Sequence, residues 1–260
     1  MLDIASLGLL LALGLFLGML LAIEFGRRLG MKTQTNKQKT NQAAAGLIDG
    51  AIFGLMGLLI AFTFSGAALR LDHRRDLVIN EANAIGTAYL RLNLLPAEMQ
   101  PPLRDLFRHY LDARLDVFQK LPDFAAAEAS LLKANQLQSQ IWPIAVQACQ
   151  TSGSVPTTML LLPALNQMFD MATLRTMTSR VMHPPVVIFV MLFALALLSS
   201  LLAGYSMGNS RDGNRFHIFG FAAIIAITVY VILDIEYPRA GFIRVDAVDQ
   251  VLIELRASMQ

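Results

Sequence analysis

The chain reads as an all-α membrane protein with four transmembrane helices and a helical extramembrane domain between spans 2 and 3. Three observations predict this. Four stretches carry no charge for about one bilayer thickness each: Ile4 to Ile23, Gly50 to Leu69, Pro184 to Gly204 and Ile218 to Leu233. The composition is 55% hydrophobic and only 15% charged, which leaves room for four spans and one modest extramembrane domain in 260 residues. No strand-type alternation appears in the 114 residues from Arg70 to His183. At 1.5 Å rise per residue, about 20 helical residues cross the roughly 30 Å hydrocarbon layer, and a helix satisfies its own backbone there. The expected organisation is residues 1–49 for the first span and a basic loop, 50–95 for the second span running on into a long extramembrane helix, and 96–183 for the helical domain. Residues 184–215 then hold the third span with a short loop, and 216–260 the fourth span with the C-terminal tail.

The N-terminal span lacks a positive leading region, carries Asp3 and stays apolar for longer than a signal peptide's core, so it reads as a retained span. Gly14 and Gly18 in it, and Gly46, Gly50, Gly54, Gly57 and Ala61 around the second span, form small-residue faces of the kind that let helices approach closely in lipid. Between them the loop from Glu24 to Gln42 carries Arg27, Arg28, Lys32, Lys37 and Lys39 against Glu24 alone, and read by itself it belongs in the cytoplasm. The edges of the middle domain, with Arg70, Arg74, Arg75, Arg175 and Arg180, are equally basic, so charge leaves the orientation nearly tied. Four spans place both termini on the same side as the middle domain.

Beyond the second span, Val78, Ala82, Ile85, Tyr89 and Leu92 step by four and three, and no breaker separates them from the span; one helix of roughly 40 residues or more is expected. After Pro101 and Pro102, Leu103, Leu106, Phe107, Tyr110, Leu111, Leu115 and Phe118 predict an amphipathic helix with Arg104, Asp105, Arg108, His109, Asp112 and Asp116 on its wet side. Asp123 is a suitable N-cap for a third helix, expected to end or kink at Trp142 and Pro143. A fourth is expected to begin near Pro156 and to bend at Pro163. The last span is short: His217 and Asp234 bracket sixteen uncharged residues. Asp234, Glu236 and Arg239 beside Pro238 and Gly241 suggest an ion pair that locks the tail.

The residues argue against catalysis. His73, His109, His183 and His217 are dispersed, Cys149 is alone, and there is no HExxH, GxSxG, GxxxxGK[ST] or GxGxxG pattern. The expectation is therefore no enzyme, no catalytic residue, no metal and no cofactor. A net charge of +2 argues against a nucleic-acid partner. The most informative stretch is the exit of the second span: Phe62, Thr63, Phe64 and Ser65, followed by Arg70, Asp72, Arg74, Arg75, Glu81 and Asn83. Phe rings can form a hydrophobic constriction and small hydroxyls can receive a dehydrated anion. From residue types alone, packing against lipid or neighbouring helices with the arginines at the interface is the favoured reading.

The run FSGAALRLDHRRDLVINEANAIGTAYLRLNLL from Phe64 to Leu95 resembles the core signature of the bacterial bestrophin-like membrane family. LDIEYPRAGFIRVD, Leu233 to Asp246, is similar to that family's C-terminal signature, and LLPALNQMFDMATLR before the third span also fits. More distantly, the order of a Phe-bearing span and then Arg70, Asp72, Arg74 and Arg75 resembles the second helix of true bestrophins, which are pentameric anion channels. The resemblance implies a homo-oligomer in the bacterial inner membrane with a cytosolic middle domain. Its second span would line a pore for small anions, with Phe62, Thr63, Phe64 and Ser65 near the constriction and the basic residues forming a vestibule. An acidic calcium-binding cluster of the true-bestrophin kind has no counterpart here. Lipid is the expected surrounding partner, and a non-conducting membrane scaffold is the alternative reading.

Overall fold

A computed structural model describes residues 4–33, 39–209, 215–238, 242–243 and 246–259 of the chain. Among these residues every regular element is helical: α1 Ile4–Thr33, α2 Lys39–Arg91, α3 Gln100–Gln119, α4 Phe124–Ser152, α5 Val155–Val181, α6 Val186–Ser206, α7 Arg215–Glu236 and α8 Asp246–Ser258, with short 3-10 turns between some of them. Three of the uncharged runs lie inside α1, α2 and α7, and the third in order fills α6 after its two leading prolines; each of the four is long and apolar enough to cross a bilayer. The protein is an integral membrane protein. Helix α2 has 53 residues, about 80 Å of helix, so it spans the hydrocarbon and continues well beyond it. The chain divides into two compact units that cut this helix between Leu69 and Arg70: Met1–Leu69 with His183–Tyr237, and Arg70–Met182 with Pro238–Gln260.

The first unit is the membrane part. Its centre is the pair α1 and α6, with α7 packed on α1. The two central helices run parallel and touch backbone to backbone. Gly26 and Gly30 face Leu201 to Gly208, while Gly204 rests on Ile23; a methyl added at Gly204 would lie 2.7 Å from the Ile23 carbonyl carbon, and one at Gly208 2.7 Å from that of Gly30. These are two small-xxx-small pairs, GRRLG and GYSMG, in mutual contact. They stand at the ends of the spans, with Gly204 the last residue of its uncharged run and the other three beyond theirs, and are not the glycines expected to pack. Gly18 does meet Leu197, but a methyl at Gly14, Gly46, Gly50, Gly54 or Gly57 would meet nothing within 4 Å. Leu15, Met19, Met56, Leu192, Ala196, Ala222 and Val229 form the apolar core, with Phe53 edge-on to Phe221 at 5.9 Å. Ser206 donates to the Asp49 carboxylate at 2.7 Å and ties the start of α2 to the end of α6.

The second unit holds the rest of α2 with α3, α4, α5 and α8. The seam residues Val78, Ala82, Ile85, Tyr89 and Leu92 are all buried, and so are Leu103, Phe107, Tyr110 and Leu111 of α3. Pro101 and Pro102 sit in the first turn of α3, where the missing amide hydrogens cost nothing. Asp123 caps α4 by accepting from the Ala126 amide at 3.0 Å; Gly153, at φ 62°, closes α4 in the left-handed region; Ser154 then caps α5 by accepting from Thr157. Of the two outcomes expected at Pro143, an end to the helix does not occur. Helix α4 passes through Pro143 to Ser152, and α5 passes through Pro163. Packing outweighs the lost hydrogen bond at Pro143, because Ile141 and Ala145 beside it are fully buried in the shared core. The tail also holds a helix where none was expected: α8 buries Leu252 completely, and Met259 just past its end joins the core.

Candidate functional site

The second span is the least covered of the four. Only 11% of its apolar window is buried, against 22%, 22% and 44% for the others. Its contacts lie on one stripe, Met56, Thr63 and Ala67, all buried. The opposite stripe is open and reads Leu47, Ala51, Gly54, Leu55, Leu58, Ala61, Phe62, Ser65 and Leu69. Four consecutive helical residues cannot share a face, and the structure sorts the expected pore set accordingly. Phe62, two-thirds exposed, and Ser65 stand on the open stripe. Thr63 turns into the subunit, its hydroxyl donating to the Leu59 carbonyl at 2.6 Å, and Phe64 is exposed at the other edge.

In the second unit the exposed positions of α2 fall on one side of the helix: Asp72, His73, Asp76, Ile79, Asn80, Asn83, Thr87 and Leu90. The expected basic vestibule takes a different form. Arg74 is buried and donates to the Met182 carbonyl at 3.1 Å, the backbone oxygen just past the end of α5. Arg75 is half-buried and pairs with exposed Asp72 at 3.4 Å, while Arg70 is half-buried. The arginines of the motif thus serve the fold as much as any field outside it, and the open phase carries two carboxylates.

Glu81 is the centre of a buried charge cluster. Its carboxylate accepts from Arg114 Nε at 2.5 Å and from Arg175 Nη1 at 2.6 Å, and Arg175 Nη2 reaches Asp249 at 3.1 Å. Glu81, Arg114, Arg175 and Asp249 come from α2, α3, α5 and α8, and all four are buried. Arg114 also donates to Thr176 and to the Ala172 carbonyl, and the Arg175 guanidinium lies 3.7 Å above the Phe118 ring. Burial alone pushes the Glu81 carboxyl up, but the two guanidiniums outweigh it and hold the group below its usual range. Two positive and two negative charges cancel, which is what lets four ionised groups share an apolar core. Beside them Tyr110, fully enclosed and accepting from Gln138 at 3.1 Å, has its phenol pushed up to about 12 by burial.

Of these four, Glu81 alone stands among the expected site residues; Arg175 counts only toward the basic edge of the domain, and Arg114 and Asp249 escape the reading altogether. The signal for Arg114 is its phase: it falls on the apolar side of α3 between Leu111 and Phe118, where a solvated arginine has no place. Asp249 has none, because α8 itself went unread.

In the C-terminal motif Glu236 is fully buried at the end of α7 and lies 3.1 Å from His183 Nδ1, whose ring stacks on Tyr237 with centroids 4.8 Å apart. Asp234 is buried nearby and Pro238 is half-exposed; Arg239 and Gly241 lie outside the described residues, and with them the expected ion pair to Arg239. A histidine from the α5–α6 junction is among the partners of Glu236. Among the described residues, no group of three or more His, Cys, Asp or Glu side chains could hold a metal ion.

Comparison with known proteins adds to this geometry. Among functionally curated proteins, none matches the chain in sequence. Crystal structures of a bacterial bestrophin homologue from Klebsiella pneumoniae share its fold. One is 15% identical with a TM-score of 0.64, covering 95% of this chain and 97% of the other. A single-substitution variant is 15% identical with a TM-score of 0.66 over 94% and 98% of the two chains, and a second variant is 13% identical with a TM-score of 0.67 over 95% and 96%. At such identity the likeness concerns the fold. The pattern of the family described as Bestrophin-like domain matches residues 11–249, nearly the whole chain, and with a four-span architecture to go with it the protein belongs to the bestrophin-like family.

Proposed function

We propose that the chain forms a homo-oligomer, a pentamer by family likeness, in which the open stripes of the second spans surround a shared axis and conduct small anions of the chloride type. The observation that carries this reading is the uncovered face of α2: a span with glycine and alanine on its open side, contacted only along the opposite stripe. Small residues let copies of one helix crowd around an axis, and Phe62 and Ser65 then provide an apolar narrowing beside a hydroxyl. Among the expected pore residues, Phe62 and Ser65 carry the proposal; Thr63 and Phe64 support their helix from its sides. Arg70 and Arg75 are the basic groups nearest the exit. The middle domain is cytosolic in this reading, the membrane is the bacterial inner membrane, and the protein acts without catalysis.

Cysteine scanning in planar bilayers tests it. Cys149 is buried, so the native chain gives a quiet background for thiol reagents. In the proposed arrangement a charged methanethiosulfonate changes the current of Ser65→Cys and leaves Thr63→Cys untouched. Well-folded oligomers that carry no current at any voltage, or a Thr63→Cys channel that reacts while Ser65→Cys does not, would remove the pore and leave a scaffold. Sidedness follows from an exposed position of the middle domain: Leu132→Cys is labelled by an impermeant maleimide only after the cells are permeabilised, if the domain is cytosolic.

A further inference from the structure

Three members of the buried charge cluster stand on helices of the continuous α2-to-α5 core, while the fourth arrives on a separate short helix. The Arg175 guanidinium is divided between them: one nitrogen serves Glu81 at 2.6 Å, the other serves Asp249 at 3.1 Å, and the flat face rests 3.7 Å from Phe118. Without the Asp249 carboxylate, two enclosed guanidiniums would share one anion, and an N–H of Arg175 would point at an empty place shaped around a carboxylate. The helix that supplies Asp249 has 13 residues, too few to hold itself in water. Its seat consists of Leu252, Met259 and a two-pronged bond from Arg256 to Asp112 at 2.7 and 3.1 Å, a pair that is one-third to one-half exposed.

We propose that Arg175 and Phe118 form a carboxylate receptor inside the extramembrane unit, that Asp249 of α8 is its built-in ligand, and that a free small carboxylate such as formate takes the place when Asp249 is absent. The chemistry is that of a planar cation fixed on an aromatic face, with its other edge already held by Glu81, so that one side remains for one more oxygen anion. A ligand tethered to its own chain acts at millimolar effective concentration or above, which keeps free carboxylates out while α8 is seated. Helix α8 is therefore a strap over a latent anion site. Nothing in this depends on conduction.

The test uses the full-length chain in detergent, with Asp249→Ala to open the place and Asp249→Asn to remove the charge while keeping the volume. Hydrogen exchange of the α8 amides reports its seating, and fluorescence of the single Trp142 reports global unfolding. Both variants are expected to exchange α8 roughly a hundredfold faster than the native chain, the effect of leaving a buried charge uncompensated. Sodium formate, compared with sodium chloride at equal ionic strength, should restore most of the protection in Asp249→Ala, little in Asp249→Asn, and none in Asp249→Ala combined with Arg175→Met. Should Asp249→Ala fail to fold on purification, purification in formate against chloride makes the folded yield the readout. No recovery with formate, equal recovery with chloride, or recovery that survives the loss of Arg175 would each overturn the proposal.

Discussion

Glu81 is enclosed on every side and makes two charged hydrogen bonds, so its removal leaves guanidiniums and not merely a gap. Glu81→Gln keeps the shape and deletes the charge; it is expected to cost about 3–5 kcal/mol, the range for breaking a buried ion pair on one side only. Denaturation followed through Trp142 measures it, and a loss below about 1 kcal/mol would mean that water enters the cluster. The sign of its pH dependence follows from the lowered carboxyl. Its contribution is complete above the ordinary value of 4.5 and fades as pH falls through the lower folded value, so the extramembrane unit loosens only in strong acid. Tyr110 gives the opposite case. Its phenol, raised from 10.0 to about 12, stabilises the fold fully below pH 10 and loses that contribution as pH rises through about 12. Absorbance near 295 nm should show one tyrosinate missing at pH 11 that Tyr110→Phe does not lack, and stability between pH 10 and 12 should fall for the native chain more steeply than for the variant.

At the scale of elements, the backbone contact of α1 with α6 makes its glycines unlike the others. A side chain at Gly204 meets the Ile23 main chain, which cannot swing away as a flexible side chain does, whereas Gly54 has free space around it. Gly204→Val should therefore destabilise the membrane unit by about 1–3 kcal/mol or abolish its folded yield, while Gly54→Val leaves the subunit's own stability unchanged. Thermal unfolding of detergent-purified variants separates the two. The same contrast shows what a sequence carries and what it withholds. Spans were legible because lipid demands about 20 uncharged residues in a row, and the α2 and α3 seams because burial repeats at helical spacing. The important glycines were not, since GRRLG and GYSMG interrupt their spacing with charge and polarity at the ends of the spans, where a search for apolar small-residue faces does not look. That α4 does not end at Pro143 was illegible for a related reason: a proline's local cost is visible in one residue, but the burial of Ile141 and Ala145 that outweighs it comes from the shared core. Within the candidate site, the sequence places Phe62 through Ser65 near the exit of the second span, but only helical phase against the neighbouring spans decides that Thr63 faces inward.

For the whole molecule, the family's fold and the open face of α2 set the question of which ions the proposed axis would favour. The arginines that suggest an anion field are partly spent, Arg74 on a backbone carbonyl and Arg75 on Asp72, whereas Asp72 and Asp76 stay in the exposed phase of the helix. A unit charge about 8 Å from a passing ion is worth about 0.5 kcal/mol at the dielectric constant of water, somewhat over twofold in local ion concentration, and salt reduces this within a Debye length of about 8 Å at physiological strength. Two carboxylates per subunit thus oppose the basic groups at comparable strength. Neutralising both, as Asp72→Asn with Asp76→Asn, frees Arg75 and removes the opposing field. In a potassium chloride gradient the reversal potential of the double variant should move toward the chloride equilibrium potential, and the shift should shrink as salt is raised. Arg75→Gln should move it the other way. A reversal potential unaffected by either change, in channels that still conduct, would place the selective step away from this stretch of α2, and ion choice would then have to be made in the apolar narrowing itself, where Phe62 and Ser65 meet an ion that has shed its water.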